Sequence, residues 1–470
     1  MGLLSREKIK APIVEALKKA IKNPTYQFHI PGHTKGNGVY SKFKNLIGEK
    51  ALLLDTTDEF DGLGTLNPAT GPIKKAQELA AEAFGAKQTF FLLNGSTIGN
   101  IAIAMGLSRK GQKVIVNRNC HRSVMTGLIA SGADPVWIIP EKFSDWGLWG
   151  NIKPQDIEKA LQENDNVAFV WITNPTYEGV VSNVKEISEI CKKYNTPLVV
   201  DEAHGCLWNF DEHLPQTSLE LGADIVVHSL HKTGGSMSQS SMLHIGKNST
   251  IEPKHIENAL MLLHTTSPSL TLLASLDAAR AHLDSKRGQK QIQQAIENAK
   301  YLRKKIDNLP NIHQLKHDGD YETDITKIFI KADGISGKVL ESILEYDFHI
   351  EIESASDVGL LILSNIGNSR KDFEYLAKCL KKISKKDYSH IPKNVKQLHM
   401  PMLTPEIKMN LQEAFYSDKE IVKKEDAINR ISGEIIAECP PGIAILVPGE
   451  LIKEEHLPYL ESYETIEVLK

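Results

Sequence analysis

Nowhere in this 470-residue sequence does an apolar run approach the ~18 residues that a membrane-spanning helix needs. The opening MGLLSREKIKAPIVEALKKAIKN has two early leucines but no long apolar core, so it does not read as a signal peptide. Arg6 breaks the myristoylation pattern. Cysteine is scarce: Cys120, Cys191, Cys206, Cys379 and Cys439 are odd in number, scattered and without CxxC spacing. That usage argues against a disulfide or zinc framework and fits free thiols in a reducing compartment. A net charge of −4 gives no electrostatic reason to expect nucleic acid or an anionic membrane as partner. There is no internal repeat and no low-complexity tract. These absences leave a cytoplasmic globular protein, long enough for two or three domains.

What is present is a succession of short apolar runs: QTFFLL, QKVIVN, NVAFVWI, TPLVVDE and ADIVVHS, each bounded by Gly, Asn, Pro or Asp. Apolar throughout rather than alternating, they predict strands covered on both faces, as in a mostly parallel α/β sheet. Four divisions are expected. Residues 1–50 form an N-terminal segment in which Pro12 opens a helix and Ile13, Ala16, Leu17 and Ile21 share one face. Residues 51–275 form the large domain. Residues 276–388 form a smaller α+β domain, entered through a long helical stretch after Leu270. Residues 389–470 form a C-terminal domain, reached through the linker DYSHIPKNVKQLHMPMLTP and most constrained at CPPGIAILVPGE.

In parallel α/β sheets, ligand chemistry gathers at the carboxyl ends of the strands. Those ends here carry NGST, NRNCHRS, TNPTYEG, DEAHG and HSLHK. In NGSTIGN, Gly95 permits close backbone approach, and Ser96 and Thr97 set hydroxyls beside a helix start, a natural phosphate seat; a plain helix cap is the bland alternative. The stretch matches neither GxGxxG nor GxxxxGK[ST], which weakens a nucleotide-fold reading. Asp201 ends a buried strand and must face a donor or a cation. Lys232 stands at another strand exit, where partial desolvation would lower its pKa and make it a nucleophile. His121 stands at a third exit and, alone, reads more simply as a structural histidine. His29 and His33 in HIPGH are spaced i, i+4, but Pro31 and Gly32 between them oppose a helix, and no metal site is expected. A phosphate seat, an aspartate and a lysine on the exits of one sheet have a specific user, pyridoxal 5′-phosphate.

On VHSLHKTGGSMSQSS, with QFHIPGH, NGST, TNPTYEG, DEAHG, TTSPS and PPGIAILVPGE in support, the chain resembles the prokaryotic ornithine/lysine/arginine decarboxylases, in their short form, of pyridoxal-phosphate fold type I. The resemblance implies that Lys232 holds the cofactor aldehyde, Asp201 pairs with the ring nitrogen, His121 stacks on the ring with Ala203 on the other face, and His204 lies near the ring hydroxyl. It further implies that Ser96, Thr97, Ser229 and His231 hold the phosphate, and that Thr266 and Ser267 reach a neighbouring subunit's cofactor in an obligate homodimer. The implied activity is decarboxylation of a basic L-amino acid, arginine ahead of lysine and ornithine, in polyamine biosynthesis. GLGTLNPATGPI (62–73) and Cys439 depart from the short form's pattern and stand as candidates to border the substrate; Glu434 and Glu438 could pair with its far end but read more simply as solvated surface carboxylates. An aminotransferase or lyase is the alternative reaction. Few arginines between Asn94 and Ser241 (Arg109, Arg118, Arg122) disfavour the fixed α-carboxylate that transamination uses. A catalytically idle regulatory homologue is the alternative of another class.

Overall fold

Strands that are apolar at every position need cover on both sides, and the central sheet has it. The computed structural model describes residues 10–22, 25–57, 62–317, 321–388 and 403–470; most of the expected linker and the first nine residues lie outside them. Seven strands form the main sheet: β1 (Ala86–Leu92), β2 (Lys113–Asn117), β3 (Asp134–Ile138), β4 (Val167–Thr173), β5 (Leu198–Asp201), β6 (Ile225–His228) and β7 (Ser241–Gly246). Their spatial order is β1-β7-β6-β5-β4-β2-β3. The pairs from β6 through β3 are parallel and both pairs made by β7 are antiparallel, so β7 alone runs against the other six.

Side chains alternate across a strand, and here both sets are buried. Val114, Val116, Phe169, Trp171, Val199 and Val227 pack under the helices Gly95–Leu107 and Arg122–Ser131. Their neighbours Ile115, Val170, Ile172, Val200 and Val226 pack under Pro154–Glu163 and Val184–Lys193 on the other face. The five expected strands are all present. β3 and β7 are additions.

The N-terminal helix runs Pro12–Lys22 and buries Ile13 and Leu17, while Ile21 is left exposed. It is tied to the helix Leu270–Leu283: Ile13 N–H donates to Asp277 Oδ2 (2.8 Å), and Arg280 donates to the Lys10 carbonyl (2.5 Å). The long helix expected after Leu270 is two helices. Ser285 accepts from Gly288 N–H and starts the second, Lys286–Ile306.

A four-stranded antiparallel layer follows: β8 (Ile312–Gln314), β9 (Lys327–Ala332), β10 (Ser354–Ala355) and β11 (Leu360–Leu363), in the order β8-β9-β11-β10. Beyond residue 403 come β12 (Lys419–Lys423), β13 (Ile436–Glu438), β14 (Ile443–Leu446) and β15 (Thr465–Leu469), paired β12 with β15 and β13 with β14. This last unit has its own small core, but Leu411, Ala444 and Val447 pack into the core of the main sheet.

Arg118 fastens that unit down. Its side chain is buried, and its guanidinium donates to the carbonyls of Leu403 (3.2 Å), Ala444 (2.6 Å) and Ile445 (3.1 Å). Three carbonyls without a donor in a dry site would each carry a desolvation penalty. Arg118→Met should therefore lower unfolding free energy by about 2–4 kcal/mol. A urea titration checks this, with limited proteolysis expected to cut first near residue 403.

Candidate active site

One cavity of about 340 Å³ opens at the carboxyl ends of the strands. Ser96, Thr97, His121, Asp201, Ala203, His204, His231 and Lys232 all line it, so the structure brings together residues separated by up to 136 positions. Ser229 is fully buried at the same strand exit, and its hydroxyl has no hydrogen-bond partner among the described residues. Thr266 and Ser267 are exposed and do not line this protomer's cavity.

The helix that carries Ser96 and Thr97 starts at Gly95, six residues earlier than the apolar stretch IAIAMGL suggests. Gly95 adopts φ +67° and its N–H is engaged by the Gln239 carbonyl (2.8 Å). Asn94 makes no side-chain cap. The free N–H groups and hydroxyls of this first turn, with the unsatisfied Ser229 hydroxyl close by in sequence to His231 and Lys232, form a donor set suited to a phosphate.

Asp201 and His121 are oriented by one residue, Asn100, which is entirely buried one turn further along the same helix. Its amide donates to Asp201 Oδ2 (2.9 Å) and to Ser123 Oγ (2.9 Å). Ser123 in turn donates its hydroxyl proton to His121 Nδ1 (2.8 Å), which also accepts Ser123 N–H (3.2 Å). With Nδ1 an acceptor, the neutral His121 ring carries its proton on Nε2. Burial lowers the His121 pKa, Lys232 and Arg122 lower it further, and Asp201 opposes them. The Ala203 N–H donates to the second Asp201 oxygen (3.2 Å). Behind this row, fully buried Glu202 accepts from Thr217, Ser218 and His228, so its charge is met on every side.

Lys232 sits in the short helix Leu230–Thr233 that leaves β6. Among the described residues its amine meets no carboxylate; the partner is His204 Nε2 at 3.0 Å. Burial lowers the Lys232 pKa, with Asp201 and Glu353 opposing. His204 is held well below the ordinary histidine range by burial first and then by the lysines on either side of it, Lys232 and Lys327.

Several residues of the cavity lie in motifs to which the sequence assigns no individual role. Pro441 and Ile443 reach in from the C-terminal unit, where Ile443 bridges to His121 and the Gly442 carbonyl accepts Arg122 N–H (2.8 Å). Gly442 has φ +79°, and a Cβ there would lie 2.8 Å from the His121 ring. Tyr177 lines the cavity from TNPTYEG and donates to Glu353 Oε1 (2.6 Å). The expected substrate-side residues are elsewhere: Glu434 accepts Glu467 N–H (2.7 Å), Glu438 accepts from Ser462 (3.3 Å), and neither Cys439 nor residues 62–73 line the cavity. Among the described residues no cluster of metal-ligating side chains occurs, and His33 instead bonds Asp55 (3.2 Å).

Sequence models of the Orn/Lys/Arg decarboxylase major domain and C-terminal domain match residues 11–329 and 392–468. The chain belongs to the Orn/Lys/Arg decarboxylase family. It is 35% identical over 462 residues to an arginine decarboxylase of Bacillus subtilis, covering 96% of this chain and 93% of that protein. It is 36% identical over 467 residues to an arginine decarboxylase of Halalkalibacterium halodurans, covering 98% and 94%. The constitutive lysine decarboxylase of Escherichia coli superposes with a TM-score of 0.84 at 22% identity, over 98% of this chain and 82% of that one. The architecture is thus that of pyridoxal-phosphate fold type I.

Because Asn100 serves both sides of the cavity, Asn100→Leu should cost about 2–3 kcal/mol by leaving the Asp201 and Ser123 oxygens short of a buried donor. Thermal unfolding of the purified variant tests this, with Asn100→Asp as a second replacement of similar size that sets a carboxylate against Asp201.

Proposed function

We propose that this chain decarboxylates a basic L-amino acid, arginine ahead of lysine and ornithine, with pyridoxal 5′-phosphate as cofactor, yielding CO₂ and the corresponding amine for polyamine synthesis. The observation that carries the reading is Lys232 and Asp201 facing one cavity floored by a first-turn phosphate seat, in a chain one-third identical over nearly its whole length to arginine decarboxylases. When bound, the cofactor supplies an aldehyde that takes the substrate amine and a protonated ring that accepts the electron pair left as CO₂ departs.

The chain's own residues then divide the remaining work. Lys232 offers the amine that holds the aldehyde and yields its place to the substrate. Asp201, fixed by Asn100 and Ala203 N–H, presents a carboxylate to the ring nitrogen. His121, fixed by Ser123, would stack on the cofactor ring with Ala203 on its other side, and His204 would serve the ring hydroxyl. Ser96, Thr97, Ser229 and His231 hold the phosphate, the buried Ser229 hydroxyl finding there the partner it lacks.

No arginine lines the cavity among the described residues. A guanidinium that fixes the α-carboxylate suits amine transfer, whereas decarboxylation needs that group free to leave, so the lining favours the lyase reading over the aminotransferase. The working unit is a homodimer with shared sites. Thr266 and Ser267 are exposed and do not line their own cavity, and Tyr26, Phe28 and Leu262 are large apolar side chains left exposed, as on an uncovered subunit interface. Among the described residues no helix is long and apolar enough to cross a membrane. Four of the five cysteines are buried and all are unpaired, which supports a cytoplasmic location.

The decisive experiment supplies purified protein and cofactor with arginine, lysine, ornithine and an acidic control, scoring CO₂ and amine. Release from arginine is expected to lead, and Lys232→Ala should fall at least about 10³-fold. No CO₂ from any basic amino acid would end the proposal. Sedimentation tests the assembly separately: the wild type should run as a dimer or larger, and Phe28→Glu with Leu262→Glu should shift it toward monomer.

A further inference from the structure

Lys327, the first residue of β9, is only 2% exposed and has no place in any motif, yet its amine is built into the site from the far side of His204. Its Nζ lies 2.6 Å from the Tyr177 carbonyl oxygen and 3.0 Å from His204 Nδ1, while His204 Nε2 lies 3.0 Å from Lys232 Nζ. One imidazole thus spans a buried lysine, Lys327, and the half-buried Lys232. The placement is held on several sides. Gly179 (φ +99°) has no Cβ where the Lys327 stem presses, at 2.8 Å from the position a Cβ would take. Asp324 N–H donates to the Gly179 carbonyl (2.8 Å), and Glu322 and Thr323 pair with Val181 and Val180.

Hydrogen-bond arithmetic restricts the charge. A neutral imidazole has one N–H and one lone pair. Two ammonium groups facing it would leave the imidazole N–H directed at a cation with no lone pair. The array therefore holds one cationic lysine and one free amine. Lys327 is the better cation, because it has the Tyr177 carbonyl as a second acceptor and faces the carboxylates of Asp324, Glu178 and Glu353. The amine of Lys232 has His204 as its hydrogen-bond partner, with Asp201 and Glu353 acting on it only at longer range. With Lys327 charged and donating to Nδ1, His204 carries its proton on Nε2 and directs it at the lone pair of Lys232.

We propose that Lys327 is a positioning residue that acts through His204 as the proton partner of Lys232, keeping the reacting amine unprotonated and exchanging one proton with it. The exchange balances without any further reagent. A proton on Lys232 Nζ passes to His204 Nε2 as the Nδ1 proton passes to Lys327 Nζ, and the reverse transfer restores it. Burial lowers the Lys327 pKa to about 8, with Asp324 opposing and Lys232 assisting, which brings it within range of such an exchange near neutral pH.

The inference rests on Lys232 being the reacting amine, and its test is chosen to stand apart from catalysis. The full-length chain, freed of bound aldehyde with hydroxylamine, is treated briefly with acetic anhydride between pH 6 and 10, and labelling of the Lys232 peptide is followed by mass spectrometry. Wild-type Lys232 should label with a midpoint below that of exposed lysines. In Lys327→Met, the loss of the neighbouring charge and of the donor to Nδ1 both favour the ammonium form of Lys232. The midpoint should rise by about one pH unit, slowing labelling at pH 7.5 about tenfold. Lys327→Gln keeps a donor without the charge and should fall between them. It also carries the test if the methionine variant misfolds. A purely structural role would lower melting temperature without moving either midpoint, and wild-type midpoints in the folded variants would overturn the proposal. A failed substrate panel would sink the decarboxylase reading and leave this titration standing.

Discussion

An amine is a nucleophile at neutral pH only if its proton is disfavoured or has somewhere else to go, and the interior around Lys232 is built on that constraint. Placing a carboxylate in contact would hold the ammonium form and raise the pKa, by roughly one to three units for a close pair. The structure avoids this contact. Asp201, the carboxylate of the same cavity, is committed to Asn100 and to a backbone N–H, and the group touching Lys232 is a neutral imidazole. Burial then lowers the lysine's pKa, with Asp201 and Glu353 opposing it without contact.

The same sheet that creates this dry edge also aligns its polar groups. Parallel register pairs Thr173 with Asp201, and Thr173 N–H donates to Asn117 Oδ1 (2.9 Å), so three neighbouring strands end in one polar row. A shift of one residue in any of them would turn these side chains into the helices and bring apolar ones to the cavity. Asn100 links this row to the helix that follows β1, and Glu202 anchors its far side through His228 on β6. The Asn100 amide N–H groups and the Glu202 carboxylate are met by neighbours that are themselves fixed, which favours rigidity, while Asn100 Oδ1, Thr173 Oγ1 and His228 Nδ1 have no partner among the described residues.

Much of this was legible before any coordinates. The all-apolar strands announced a sheet covered on both faces, and reactive residues at their ends announced the cavity, because both follow from local composition. DPVWI escaped notice as β3 since it contains Pro135 and only Ile138 is fully buried; SMLHIG escaped as β7 since it opens on a serine. Lys327 could not be found this way. KIFIKA reads as a strand with a lysine at its mouth, and the partner that gives the lysine meaning lies 123 positions earlier. Glu434 and Glu438 offer charge to a substrate's far end but read more simply as surface carboxylates, and the structure engages them with the Glu467 N–H and the Ser462 hydroxyl away from the cavity.

The cavity is walled by parts far apart in the chain, and close backbone approach joins them. At Gly179 the loop after β4 lies against the Lys327 stem, and at Gly442 the turn before β14 lies against the His121 ring; both glycines have positive φ and leave no room for a Cβ. Such contacts resist compression but supply little attraction, so the attraction must come from elsewhere: the Tyr177 carbonyl on the Lys327 amine, and the Arg118 guanidinium on the carbonyls of residues 403, 444 and 445. The two cations differ in what else they touch. Arg118 ties its wall down at a distance from Lys232, whereas Lys327 holds its wall while also bonding His204, the group that touches Lys232.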